Sequence, residues 1–455
     1  MSLDLAGSSA PIQGIDDLVG YIRGAERPRD QWLIGVEHEK LGVQGPQHRA
    51  VPYYGENGIR QILDRIARSA GGTQHKHKEN GQPIALISEH ASVTLEPGGQ
   101  LELSGAPWRS LTDARKEIEA HLAEVRKDSA GVRWLAAGYR PVGTRDDVQW
   151  MPKGRYAAMK ASLGPRGRLA LDMMLMTATV QANLDWSDER DLAEKARAAT
   201  AVSPIVSAIF ANSPIVDGKA VGMLDFRYQV WRETDDARCG LLEQMLRPDW
   251  GYRSYVEWAL DVPMLFIRSG SDYVGAQGQT FRAFLETGRL ANGERRTPAL
   301  SHWIDHLSTL FPEVRVKRVL ELRGVDMVPL PHLMALPAIW VGLLYDPPAR
   351  EAAWQLTKSW TFPQRLDFQG EVVRAALQAK GPDGRTALEL GRELVAIARR
   401  GLQAWAKQSG HDERVYLDPL EEILASGRTL AERAVEVYRT SGEDPEALVK
   451  FWQVA

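Results

Sequence analysis

The stretch SVTLEPGGQLELS, residues 92–104, predicts a β-hairpin carrying two glutamates on one polar face. Along its first arm Ser92, Thr94 and Glu96 alternate with Val93 and Leu95. Along the second, Gln100, Glu102 and Ser104 alternate with Leu101 and Leu103. A period of two marks a strand, because successive side chains leave the backbone on opposite faces. Pro97-Gly98-Gly99 joins the arms: proline pre-sets φ at about −65° and glycine tolerates positive φ, so the chain folds straight back. A three-residue loop sets Glu96 opposite Gln100 and Glu102 opposite Thr94, leaving the carboxylates diagonal neighbours roughly 7–8 Å apart at the backbone. Such a pair either converges on a cation or points into water, as most alternating strands do. The remaining strands decide between these.

Working outward, residues 33–41 (LIGVEHEKL) form a β-rich run in which Glu37 and Glu39 share a face. His38 and Lys40 fall beside Ile34 and Val36 on the other face, so the strand is expected to emerge at a sheet end there. Thr179, Gln181, Asn183 and Asp185 alternate with Val180, Ala182, Leu184 and Trp186, a second strand with a wholly polar face. Leu224 to Val230 alternates likewise around Asp225, Arg227 and Gln229, and the run 315–328 sets Glu321 and Arg323 on one face and Leu320 and Leu322 on the other. Shorter strands are expected at 84–87 and 134–139. His75-Lys-His-Lys-Glu79 reads as a solvated basic turn, with a two-histidine metal site as the minor reading.

Helical spacing marks 16–24, 59–70, 111–127 and 192–210, the last despite Pro204. Gly71-Gly72 ends the second of these, and Thr112 or Asp113 is available to cap the third. Leu169 to Met176 is a buried, methionine-rich segment, and Met334 to Tyr345 suits a buried helix, being too short to span a bilayer. From residue 370 onward the pattern is helical, and no linker sets it apart. The expectation is therefore one catalytic unit over 1–455, α+β in class: an antiparallel sheet with one polar, metal-lined concave face, surrounded by helices, with a helical C-terminal part at about 370–455.

The 455 residues, 44% hydrophobic, can bury a large core. With 56 basic and 59 acidic residues the formal charge is −3, so no global field draws the chain to nucleic acid or to a membrane. The single cysteine, Cys239, excludes an internal disulfide and a cysteine-based zinc site, and with an N-terminus unlike a secretory signal it suggests a cytoplasmic home. Cys239 has no nucleophile signature around it and reads as a packed thiol.

On one sheet the polar faces would gather Glu37, Glu39, Glu96, Glu102 and Glu321 with Gln181, Asn183, Arg227 and Arg323. Five uncompensated glutamates repel and raise one another's pKa. Divalent cations resolve this, and hard oxygen ligands favour Mg²⁺ or Mn²⁺ over zinc. A nucleoside triphosphate is the natural reason to assemble such cations, with arginines suited to phosphoryl oxygens or a substrate carboxylate. No GxxxxGK[ST] loop, protein-kinase set or GxSxG elbow is present.

The blocks GVEHEKLG (35–42), TLEPGGQLELSGAP (94–107), MPKGRY (151–156), LDMMLMTATVQANLDWSDE (171–189), FANSPIVDGK (210–219) and LELRGVD (320–326) resemble, in order, those of the plant-type glutamate–cysteine ligases. The resemblance runs from about residue 15 to the end. It implies a glutamine synthetase-like sheet and an ATP-dependent ligase joining L-glutamate to L-cysteine through γ-glutamyl phosphate, the first step of glutathione synthesis. It also implies metal carboxylates at Glu37, Glu39, Glu96, Glu102 and Glu321, of which Glu96 and Glu321 act with Arg323 in catalysis. Nucleotide contacts would come from Gln181, Asn183, Arg323 and Lys153, and substrate contacts from Arg227, Trp231, Thr234 and Tyr156, with Arg155 at the same mouth. Such an enzyme would work as a monomer or homodimer. The disulfide control of plant members is not expected with Cys239 alone. The alternatives are a γ-glutamyl ligase using another amine, a non-catalytic nucleotide-binding relative, and a metal-dependent hydrolase.

Overall fold

The computed structural model describes residues 9–70, 74–270 and 272–455. Its central strand is β1, Ile34–Gln44. After it come β2 (Arg49–Ala50), β3 (His75–Glu79), β4 (Gln82–Ile87), β5 (Ser92–Leu95), β6 (Leu101–Ser104), β7 (Val132–Leu135) and β8 (Val180–Leu184). An outer hairpin, Val314–Val316 with Leu320–Leu322, completes a ten-stranded antiparallel sheet. The order across it is 314–316, 320–322, β8, β1, β6, β5, β4, β3, while the far end of β1 pairs with β7 and β2.

The opening hairpin forms as its alternation demands, with Thr94 opposite Glu102 and Ser92 opposite Ser104. Its turn closes through Glu96 N donating to Gln100 O at 3.0 Å and Gly99 N donating to Glu96 O at 2.9 Å, with Gly99 at φ 79°. Gly98 is required by proximity: a Cβ there would lie 2.2 Å from the Leu175 carbonyl oxygen.

Helices cover the sheet. Leu111–Asp128 packs behind β1, and His332–Leu344, with Pro337 inside it, packs on β8 and β1. The latter is crossed by Ala387–Ser409, the longest of the C-terminal helices, so closely that a Cβ on Gly401 would lie 1.7 Å from the Gly342 oxygen. The chain end returns to the sheet, where Val454 N donates to Trp134 O at 2.8 Å. No described helix is long and apolar enough to cross a membrane.

Several expectations need correction. Residues 226–232 form a helix, not a strand: Asp225 caps it by accepting the Tyr228 N–H at 2.9 Å. A run this short spans barely two helical turns, so an apparent period of two does not decide the matter. His75–Glu79 is the edge strand β3 rather than a turn, paired along β4. β1 does not leave the sheet at His38; both His38 and Lys40 are fully buried, because the His121 ring of the helix behind meets His38 edge-on. That helix is capped by Ser110, two and three residues before the candidates Thr112 and Asp113. The strand expected at 134–139 ends at Leu135. Gly71-Gly72 lies outside the described residues.

Candidate active site

Because antiparallel partners directly opposite point to the same face, the register lays out the site in rows. The first row runs Thr94, Glu102, Glu39 across β5, β6 and β1. The second runs Ser92, Ser104, Glu37, Gln181 and ends on β8. The third runs Gly35, Asn183, Glu321, Arg315 to the outer hairpin. Gly35 leaves room for its row partner, since a Cβ would stand 3.1 Å from Asn183 Cβ.

Hydrogen bonds hold the polar face together within and between these rows. Thr94 Oγ1 donates to Glu102, Thr179 N donates to Glu39 at 3.1 Å, and Asn183 Nδ2 donates to Glu37 at 2.9 Å. Arg323 donates to Gln181 Oε1 at 2.7 Å. Glu321, 1% exposed, is ion-paired with Arg315, with Lys317 and, at 3.4 Å, with Arg323.

These partners divide the face electrically. Burial, then the charges of Glu96 and Glu102, pushes the Glu39 carboxyl well above the usual range. Burial, then Glu37 and Glu96, pushes Glu102 up to about 7. At the other end burial would also raise Glu321, but Arg315, Lys317 and Arg323 hold it well below the carboxylate range. Burial, with Arg315 beside it, lowers Arg323 to about 10.

Glu37, Glu39, Glu96 and Glu102 share one cavity of about 180 Å³ with Arg315, Lys317 and Arg323. A second cavity of about 330 Å³ adjoins it at the Gly35 end, lined more by apolar groups such as Tyr21, Leu33, Ile304, Leu307 and Val319. Glu37, Ser104, Asp305, Ser308 and Lys317 line both. Among the described residues no three Asp, Glu, His or Cys side chains converge on one point, so the carboxylates are arrayed along the wall. The donor set still fits divalent cations: it is all hard oxygen, and the raised Glu39 and Glu102 record carboxylate charge crowded together there.

The remaining expected residues fall in different places. Lys153 and Tyr156 line the first cavity, both donating to Leu95 O, and Arg155 lines it while bonded to Ser308 at 3.1 Å. Trp231 lines a small neighbouring hollow that shares Arg323 and Phe311 with the first cavity. Arg227 is buried beneath Arg323, reaching its carbonyl at 3.2 Å, and its guanidinium lies 5.7 Å from the Trp231 ring. Thr234 is fully buried and donates back to Val230 O at 2.7 Å. Sequence reasoning missed Arg315 and Lys317, although their alternation with Val314 and Val316 was a readable signal. It also missed Arg268, Tyr273 and Asp305, which carry no local signal.

An antiparallel sheet with carboxylates and cations along one face, backed by helices, is a frame suited to an ATP-dependent ligase that joins a carboxylate to an amine. More narrowly, the chain belongs to glutamate-cysteine ligase family 2 (GCS2), which matches residues 33–450. It is 38% identical to the chloroplastic glutamate–cysteine ligase B of Oryza sativa subsp. japonica over 427 residues, covering 93% of this chain and 84% of that protein. It is 39% identical to the chloroplastic glutamate–cysteine ligase of Arabidopsis thaliana, covering 93% and 79%. The fold resembles the crystal structure of glutamate–cysteine ligase from Francisella tularensis in complex with AMP, at a TM-score of 0.53, 13% identity, and coverage of 93% of this chain and 90% of that one. The cytoplasmic home suggested by the lone cysteine is overturned by the chloroplastic relatives. A free cysteine reports a reducing environment and does not say which compartment supplies it.

Proposed function

We propose that this chain joins L-glutamate to L-cysteine with ATP, making γ-glutamylcysteine through γ-glutamyl phosphate, and that residues 1–455 act as one catalytic unit. The carrying observation is the split face, an anionic wall meeting a cationic one inside a single cavity. The cationic side, Arg315, Lys317 and Arg323, takes the β- and γ-phosphates, and Gln181 holds Arg323 in place. The apolar cavity beyond Asn183 accepts adenosine, which points the triphosphate toward Lys317. Lys153, Arg155, Tyr156 and Trp231 serve the amino-acid end, while Arg227, expected to contact substrate, is buried and supports the Arg323 backbone from beneath.

Glu37, Glu39, Glu96 and Glu102 would hold Mg²⁺ or Mn²⁺, which would supply neutralisation of phosphate charge. Glu321, expected among the metal carboxylates, instead anchors the three cations. The γ-carboxylate of glutamate attacks the γ-phosphorus in line, and the protein's part is to position both and to stabilise the transferring charge. The amine of cysteine then displaces phosphate from the acyl carbon. The test is ADP release with glutamate, with and without cysteine or other amines. The reading expects release that needs glutamate and is fastest with cysteine; ADP release independent of glutamate would refute it.

A further inference from the structure

We propose that Asp305 is the base that takes the proton from the attacking amine, an assignment that rests on the ligase reading above. Asp305 sits on the helix Leu300–Leu307, off the sheet, and lines both cavities where they meet. The residue is 5% exposed, and its Oδ2 has no hydrogen-bond partner among the described residues.

The other acidic side chains of the two cavities are engaged. Glu321 is held by three cations, Glu79 accepts the Gly154 N–H at 2.8 Å, Asp185 accepts the Leu33 N–H at 2.8 Å, and Glu26 accepts from Tyr252 at 2.8 Å. Glu37, Glu39, Glu96 and Glu102 lie along the wall assigned to divalent cations. Asp305 is left facing the cavities with no hydrogen bond to its Oδ2 among the described residues, its one ion pair there being the loose one to Arg268.

The charged groups around it are few. Arg268 Nε stands 3.9 Å away, its guanidinium held by Tyr273 at 3.0 Å. Arg155, on the helix Gly154–Leu163, reaches Ser308, and Lys317 lines both cavities. His306 on the same helix is turned away, bonded to Ala259 O at 2.7 Å. Burial raises the Asp305 carboxyl above its ordinary range against the pull of Arg268 and Arg155, which suits a proton acceptor.

The step balances as follows. Cysteine arrives as an ammonium and gives one proton to the Asp305 carboxylate. The freed nitrogen lone pair forms the N–C bond at the γ-carbonyl carbon. The adduct then collapses by breaking the C–O bond to phosphate, which leaves with its electron pair and takes the nitrogen's second proton.

The test compares Asp305→Asn with the wild-type enzyme, using cysteine and then hydroxylamine, a nucleophile that is already uncharged at neutral pH. General-base loss is expected to lower kcat with cysteine by about 10²-fold or more, at least about thirtyfold beyond any fall in γ-glutamyl hydroxamate formation. The deficit with cysteine should shrink as pH rises, and Asp305→Glu should restore part of the rate. Equal falls with both nucleophiles, or no fall with cysteine, would overturn the assignment. Wild-type ADP release that is independent of glutamate would refute the ligase reading instead, so the two failures are distinguishable.

Discussion

The two ends of the sheet face use the same residue type in opposite electrical states. At the β5–β6–β1 end, Glu39 and Glu102 are crowded by other carboxylates and drawn toward protonation. At the outer hairpin a single glutamate, Glu321, is surrounded by three cations and kept ionised. The first end has more carboxylate than cation, with Lys153 the charge set against Glu96 and Glu102, and the second gathers three cations on one carboxylate. Such a face is complementary to a metal–polyphosphate complex, in which cations and phosphate anions arrive together.

The largest break in this contrast comes from removing a cation. Arg323→Ala should lower kcat/KM by about 10³-fold or more, since an arginine on a transferring phosphoryl group is worth about 10³–10⁵ in rate. The same variant should fold normally by circular dichroism, because Arg315 and Lys317 still pair with Glu321. Steady-state kinetics at saturating glutamate and cysteine checks it.

The next effect is at the anionic end. Glu102→Gln should raise the Mg²⁺ concentration for half-maximal activity by about 10–100-fold. In metal-free protein the same change tests the electrostatics directly. Glu102 is raised from 4.5 to about 7, so the folded state holds a proton that the unfolded chain has lost. That stabilisation is present below pH of about 4.5 and is lost as pH rises to about 7, up to about 3 kcal/mol. Chemical denaturation in chelator across this window should slope downward for the native sequence and less steeply for Glu102→Gln, with Glu39 and Glu313 still contributing.

The smallest effect lies at the seam. Gly35→Ala would press on Asn183 from 3.1 Å, and a shift of a few tenths of an ångström relieves it. The cost should be about 1 kcal/mol, read as roughly a fivefold rise in KM for ATP with little change in KM for glutamate.

How much of this was legible depends on where each signal lived. The carboxylate rows were readable because alternation in β1, β5, β6 and β8 is local, and a one-residue slip would have turned every glutamate to the other face. The turn at Pro97-Gly98-Gly99 fixed the Thr94–Glu102 pairing, although the clash that demands Gly98 comes from Leu175, far along the chain. The helix 226–232 was misread because seven residues satisfy both periods and Asp225 decides as a cap. The burial of His38 and Lys40 was invisible locally, since the helix bearing His121 closes over them. Asp305 and Arg268 reach the site from separate elements, and only the packed chain brings them together.

The central claim is that the anionic end takes cations and the cationic end takes phosphate. Crystals soaked with Mn²⁺ and ADP test it most directly, because the anomalous signal of Mn²⁺ marks each metal position. The account predicts Mn²⁺ against Glu39, Glu96 and Glu102, with the β-phosphate on Arg315, Lys317 and Arg323 and the adenine beyond Asn183. Manganese absent from those glutamates, or phosphates bound away from the three cations, would contradict it.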